Sequence, residues 1–226
     1  MFRKRHPPVG ARPGTLVVNH TSPKPVIRVM EYKPDSVEEH ELSEVSQLRE
    51  LLREDSVSWI DVQGLGDEEV LRSIAKVFDL HPLALEDVVN VPQRPKMEDY
   101  EKHLLFITRM AVLDTVYTVK AEQVSVFLGP KFVLTFQERQ GDVLDPVRTR
   151  LRQGKGPIRR SGPDYLAYAI IDTVVDGYYP ILESLGEVLE SMEDEIIERP
   201  RRLLLQRIHH IKRELLAIRR AIWPQR

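Results

Sequence analysis

The sequence predicts an α+β fold: a mixed β-sheet flanked by helices, followed by a long antiparallel helical hairpin. Three observations carry this. Short β-prone runs alternate with helical patterns through most of the chain, Gly129-Pro130 joins two such runs as antiparallel neighbours, and two heptad stripes of opposite charge occupy the C-terminal part.

Taken in order, Val26 to Tyr32 and Val37 to Leu42 read as strands around Pro34-Asp35. Ser43 opens a helix with Leu48, Leu51 and Leu52 on its inner side. Val57 to Val62 is a strand, and Asp67 caps a helix carrying Val70, Ile74, Val77 and Phe78. Pro82 starts a short helix through Val89, because proline is tolerated where the N–H has no intrahelical partner. Gln93 to Lys96 reads as a loop. Leu104 to Leu113, Val116 to Leu128 and Phe132 to Gln137 are strands, the last two joined by the glycine-proline turn. Asp142 starts a helix to about Arg152, and Gly154 to Gly162 is a linker.

Asp164 to Glu198 then reads as one long helix, kinked at Pro180, and Arg201 to Ile222 as a second. The first stripe is Ile171, Val175, Tyr178, Leu182, Leu185, Leu189, Met192 and Ile196; the second is Leu204, Ile208, Ile211, Leu215, Ile218 and Ile222. A repeat of about 3.5 residues keeps one seam facing a partner helix, and Pro200 marks the hairpin tip. If Ile196 lies opposite Leu204, Glu193 falls near Arg207 and Glu187 near Arg213. The second stripe stops before covering the first, so the expectation is that the protein continues past Arg226. The chain thus divides into residues 1–25, rich in Pro, Gly and basic residues and expected to be disordered; 26–162, the sheet and its helices; and 163–226, the hairpin.

Composition narrows the function classes. The 226 residues are 42% apolar and 30% charged with a net charge of −2, so no whole-chain basic excess points to nucleic acid. Charge is uneven nonetheless: Glu183 to Glu198 holds seven acids and no base, whereas Arg199 to Arg226 holds nine bases against the single Glu214. Attraction between paired helices accounts for that split. No cysteine is present, which removes thiol catalysis, disulfides and cysteine-ligated zinc. No run of about 18 apolar residues is present to span a bilayer, and the basic start leads into prolines rather than a signal sequence.

Gln63-Gly64-Leu65-Gly66 follows a strand and precedes a helix, yet the third glycine of a dinucleotide loop is missing and three carboxylates follow where phosphate needs bare amides. It is a turn and a cap. His209 and His210 are adjacent and diverge around a helix, while His81 and His103 are isolated. No Ser/His/Asp set stands out. Carboxylates remain: Glu86 and Asp87 after Pro82, and Asp172 with Asp176 one turn apart on the long helix. Such oxygens suit hard cations, magnesium taking one or two directly and keeping its waters, though solvated surface is the ordinary fate of acids.

The series Leu85-Glu86-Asp87-Val88-Val89-Asn90, Gln93-Arg94-Pro95-Lys96, Glu122-Gln123-Val124-Ser125, Phe136-Gln137-Glu138, Gly141 to Arg148, Asp164-Tyr165-Leu166, Glu198-Arg199-Pro200 and Ile222-Trp223-Pro224 resembles the CorA family of magnesium and cobalt transporters. The resemblance implies a cytosolic regulatory domain, an α/β/α sandwich bearing long helices, that assembles as a ring of five. It implies a further long helix leading to two membrane spans and a Gly-Met-Asn signature, none of which lies in these residues. It also implies Mg²⁺ or Co²⁺ sites between subunits, drawing on Glu86, Asp87 and Asp172 and on an aspartate of a later helix beyond Arg226.

On this reading the chain is no enzyme. It lies on the cytoplasmic side of the cell membrane, reached through C-terminal spans, and binds no nucleic acid. The alternatives are a zinc- or nickel-transporting relative of the same fold, a metal-dependent hydrolase, and a structural coiled-coil adaptor.

Overall fold

A computed structural model describes residues 7–19, 21–115, 118–198 and 202–225. Among these, seven strands form one sheet in the order β2-β1-β3-β7-β6-β5-β4: β1 Val26–Tyr32, β2 Val37–Leu42, β3 Val57–Gln63, β4 Lys96–Asp99, β5 Leu104–Thr115, β6 Thr118–Leu128 and β7 Phe132–Gln137. Neighbours are antiparallel except β3 and β7, which run parallel, so the sheet is mixed as expected.

The central strands are apolar on both sides because helices cover both faces. Alternation on β1 and β3 sends Ile27, Val29, Ile60 and Val62 to one face, where α2 (Glu68–Val77) and α3 (Pro82–Val89) close a core with Leu71, Ile74, Leu85 and Val88. The intervening Met30, Tyr32 and Trp59 point to the other face, under α4 (Asp145–Gln153) and α5 (Pro163–Asp176). The result is an α/β/α sandwich. Asp67 caps α2 by accepting from the amides of Glu69 and Val70 (both 3.1 Å).

The glycines before that cap serve the chain itself. Gly64 has φ +110°, and a Cβ there would lie 2.6 Å from the Lys24 carbonyl oxygen, while the Gly66 amide donates to the Pro23 carbonyl at 2.9 Å. Composition suggested a disordered opening; among residues 7–25, Leu16 is buried in the α2–α3 core and Val18 packs against it.

Several elements differ from the sequence expectation. The helix expected from Ser43 is a 3₁₀ turn (Val45–Gln47) and one α turn, α1 (Leu48–Leu51), of which only Leu48 is fully buried. Lys96 belongs to β4, a charged edge strand held to β5 by backbone pairing; such strands lack the apolar alternation that would betray them. Helix α4 starts at Asp145, because Asp142 turns its carboxylate inward and caps the Leu144 amide at 2.9 Å.

The expected long helix is two: α5 ends at Asp176, and α6 (Tyr178–Glu198) follows Gly177. Pro180 has no N–H to give the Asp176 carbonyl four residues back and its ring crowds that oxygen, so the helix parts where it was expected to bend. Helix α7 (Arg202–Ile222) returns along α6. Pro200, read as the tip, lies outside the described residues.

Only part of each stripe forms the seam. Tyr178, Leu185, Met192, Leu204, Ile211 and Ile218 are buried, whereas Val175, Leu182 and Ile196 are exposed and Ile181 is buried instead. The reason is a third partner. The hairpin also packs on Ala111, Leu113, Val119 and Ala121 of the β5–β6 ribbon, which rotates α6 away from a two-helix contact. Arg207 pairs with Glu195 at 3.0 Å, two residues from the expected Glu193. Glu214, the lone acid of α7, accepts the Val119 amide at 3.0 Å, and the Tyr178 hydroxyl donates to the Arg109 carbonyl at 2.6 Å.

Leu185→Ala should cost about 2–5 kcal/mol in denaturant unfolding, against roughly 0.5 kcal/mol for Leu182→Ala, although both belong to the same stripe. Equal losses would mean that the stripe as a whole, not the rotated seam, holds the hairpin.

Candidate divalent-cation site

Helix α3 turns Ala84, Leu85, Val88 and Val89 into the core, which leaves Glu86 and Asp87 half-buried on its outer side. Its start is fixed by His81, whose Nδ1 accepts the Leu83 amide at 3.2 Å, so that histidine is a cap. Both Glu86 oxygens are engaged: Oε2 accepts the Gly14 amide at 2.6 Å, and Oε1 accepts Asn90 Nδ2 at 3.2 Å.

Asp87 Oδ2 is 2.6 Å from Lys96 Nζ, which also reaches Glu98 Oε1 at 2.7 Å; Glu98 Oε2 accepts the Tyr100 hydroxyl at 2.7 Å. Burial pulls the Lys96 ammonium toward neutrality, and its hydrogen bonds to Asp87 and Glu98 more than reverse this, so its pKa is raised. The Lys96 and Tyr100 hydrogen bonds hold the Glu98 carboxyl below its usual range. Gln123 on β6 binds this corner to the sheet, donating to the Asp87 carbonyl at 2.9 Å and accepting the Gln93 amide at 2.7 Å.

Asp172 lies on the other layer. Helix α5 buries Leu166, Ala169, Ile170 and Val174 against the opposite sheet face and keeps Asp172 half-buried outside, where its charge raises the Tyr168 pKa. Asp176, one turn on, is exposed. One chain therefore unites Glu86 and Asp87 but not Asp172. Among the described residues no group of three or more His, Asp or Glu side chains is arranged to hold a metal.

Two buried charge networks escaped the sequence reading. Arg148 of α4 forks onto Asp61 (2.7 Å) and Asp142 (2.6 and 2.7 Å) and lies 5.2 Å over the Trp59 ring. Thr135, Gln137 and Gln63 donate to the same two carboxylates. The signal available was Asp61 itself, a charge inside an apolar strand; its partner 87 residues away had no local mark. Burial pushes Asp142 up, but the Arg148 hydrogen bond and charge win, and its pKa is lowered. A cavity of about 280 Å³ adjoins this network, lined by Arg28, Glu39, Glu41 and Arg152 among others, and its arginines are paired within the chain.

The second network lies at β5 and β6. Arg109 faces Glu138 at 3.8 Å beside Glu122. Burial and the Glu138 charge push the Glu122 carboxyl up to about 8.

The model of the CorA-like Mg²⁺ transporter protein family matches residues 54–226, a stretch that contains all three carboxylates. The chain belongs to the CorA family. Its members are transporters, which removes the hydrolase reading. The chain is 37% identical to the cobalt/magnesium transport protein CorA of Thermotoga maritima over 96% of its own length and 62% of that protein's, so it spans under two thirds of this CorA. The soluble domain of CorA from Methanocaldococcus jannaschii superposes with a TM-score of 0.69 at 18% identity, covering 87% of this chain and 75% of that one. The ZntB cytoplasmic domain from Vibrio parahaemolyticus gives 0.53 at 13% identity, with 88% and 76% covered, so CorA and ZntB chains share the fold. Among the described residues of this CorA chain no helix is long and apolar enough to cross a membrane.

Arg148→Met strands two buried carboxylates and should cost about 3–5 kcal/mol at neutral pH. Asp142 has a lowered folded pKa, so its stabilising share is present above its ordinary 3.8 and is lost as pH falls through the folded value. The wild-type advantage over Arg148→Met in urea should shrink accordingly below that pH. Glu122 has the opposite sign. Its folded pKa is raised, so stability is full below its ordinary 4.5 and declines as pH rises toward about 8. Glu122→Gln should therefore stabilise by roughly 1–3 kcal/mol at pH 8 and change little at pH 4, read from paired denaturation curves.

Proposed function

We propose that this chain is the cytoplasmic, metal-sensing part of a CorA-type magnesium and cobalt channel, in which bound Mg²⁺ or Co²⁺ between subunits favours the closed state. Residues 26–162 form the regulatory unit and 163–226 the stalk-side hairpin. What supports the reading most is the placement of Glu86 and Asp87 on one outer face of the sandwich and of Asp172 on the other. In a closed ring, one face of each subunit meets a different face of the next, so carboxylates on two faces can meet only across that boundary.

The donors fit such an ion. Asp87 already holds a cationic group, the Lys96 ammonium, in a half-buried setting. Two or three carboxylate oxygens with waters suit magnesium, which dehydrates reluctantly. Acids gathered at a partly dry boundary repel several-fold more strongly than in water, and a dication supplies the neutralising charge. Glu86, tied to Gly14 and Asn90 by one hydrogen bond on each oxygen, is held in place and keeps lone pairs to offer the ion beside Asp87. When the ion leaves, repulsion loosens the boundary; the metal biases closure by as much as it prefers the closed interface. The ring of five and the membrane spans belong to this proposal. Because ZntB shares the fold, the cation carried is decided by transport selectivity rather than by architecture.

In the complete transporter, Asp87→Asn or Asp172→Asn should raise the internal Mg²⁺ concentration for half-inhibition about tenfold or more, measured by patch-clamp or ion flux. Unaltered inhibition in both variants would defeat the sensor reading.

A further inference from the structure

The geometry points to Lys96 as a tethered competitor for the cation at Asp87, the residue that sets how much divalent metal is needed to occupy that site. This inference rests on Asp87 being a metal ligand, as proposed above.

Lys96 and Glu98 are alternate residues on β4, so their side chains leave the same side of the strand and converge on the outer side of α3. Nζ lies 2.6 Å from Asp87 Oδ2 and 2.7 Å from Glu98 Oε1, and Glu98 is anchored in turn by the Tyr100 hydroxyl. A dication seeking Asp87 Oδ2 meets a positive charge already within hydrogen-bond distance of that oxygen, and the two repel. Glu98 gives the ammonium somewhere to stay. Lys96 can release Asp87 without becoming an unpaired half-buried charge, so exchange raises the metal requirement without blocking the site. A plain strand anchor would need only one of these two carboxylates.

The test is an isothermal calorimetric titration of MgCl₂ into the complete gene product, reading the Mg²⁺ concentration at half-saturation. Lys96→Gln, which keeps much of the side-chain length and loses the charge, should move that concentration roughly tenfold lower. Lys96→Arg should stay within about twofold of wild type, since the charge remains. Lys120→Gln, which removes an equal charge paired with Asp114 on the β5–β6 ribbon, should not move it. Should Lys96→Gln fail to fold, Glu98→Gln carries the test: Lys96 is then left to Asp87 alone, and half-saturation should rise several-fold. A Lys96→Gln midpoint at or above wild type, or a Glu98→Gln midpoint unchanged, overturns the competitor role while Asp87→Asn still abolishes the Mg²⁺ response. A full response in Asp87→Asn overturns the metal-ligand reading and this inference with it.

Discussion

A sheet buried on both faces leaves acidic side chains two places to go: into the interior with a counter-ion, or onto the outer surface of a covering helix. Both outcomes occur here. Asp61 and Asp142 are inside, sharing Arg148, and Glu86, Asp87 and Asp172 are outside, on helices belonging to different layers. The separation of Asp87 from Asp172 is thus a result of layering. The central strands must face helices on both sides, and α3 and α5 are the helices that fill those positions.

The charged clusters differ chiefly in wetness. Arg148 is nearly dry and donates only to carboxylates, which also accept from Thr135 and from the Gln63 and Gln137 amides, so these carboxylates are locked into the structure. Glu122 is buried beside a like charge, and its proton stands in for a partner. Lys96 is half-exposed and divided between two acids, so its ammonium can leave either one and keep a partner. Saturation fixes an ion pair, whereas incomplete burial and a second acceptor leave it adjustable.

Legibility in the sequence followed the range of the forces involved. β1, β2, α3 and β7 match their expected limits because alternation, an N-terminal proline and a tight turn are local signals. β4 carries charge where strands usually carry apolar alternation, and backbone pairing to β5 makes it a strand. The heptad stripes correctly gave two paired helices but misjudged the seam, because the β5–β6 ribbon that rotates α6 comes from distant sequence. Within the site, the adjacency of Glu86 and Asp87 and the helix start at Pro82 were readable, whereas the His81 cap was not. The Lys96 contact was not, since it depends on where an unrecognised edge strand lies against α3. The assignment of Asp172 to the opposite layer needed the sheet order, which no local pattern encodes.

The attachment of the helical hairpin carries a mechanical consequence. Tyr178 grips the Arg109 carbonyl on β5 and Glu214 holds the Val119 amide on β6, so the hairpin is fastened to two adjacent strands near its base. β6 also carries Gln123, whose side chain holds the Asp87 carbonyl. A lever clamped in this way has its fulcrum on the sheet. Any tilt of its far end must strain the ribbon or break a clamp, and the strand it would strain is the one that steadies the acidic corner of α3.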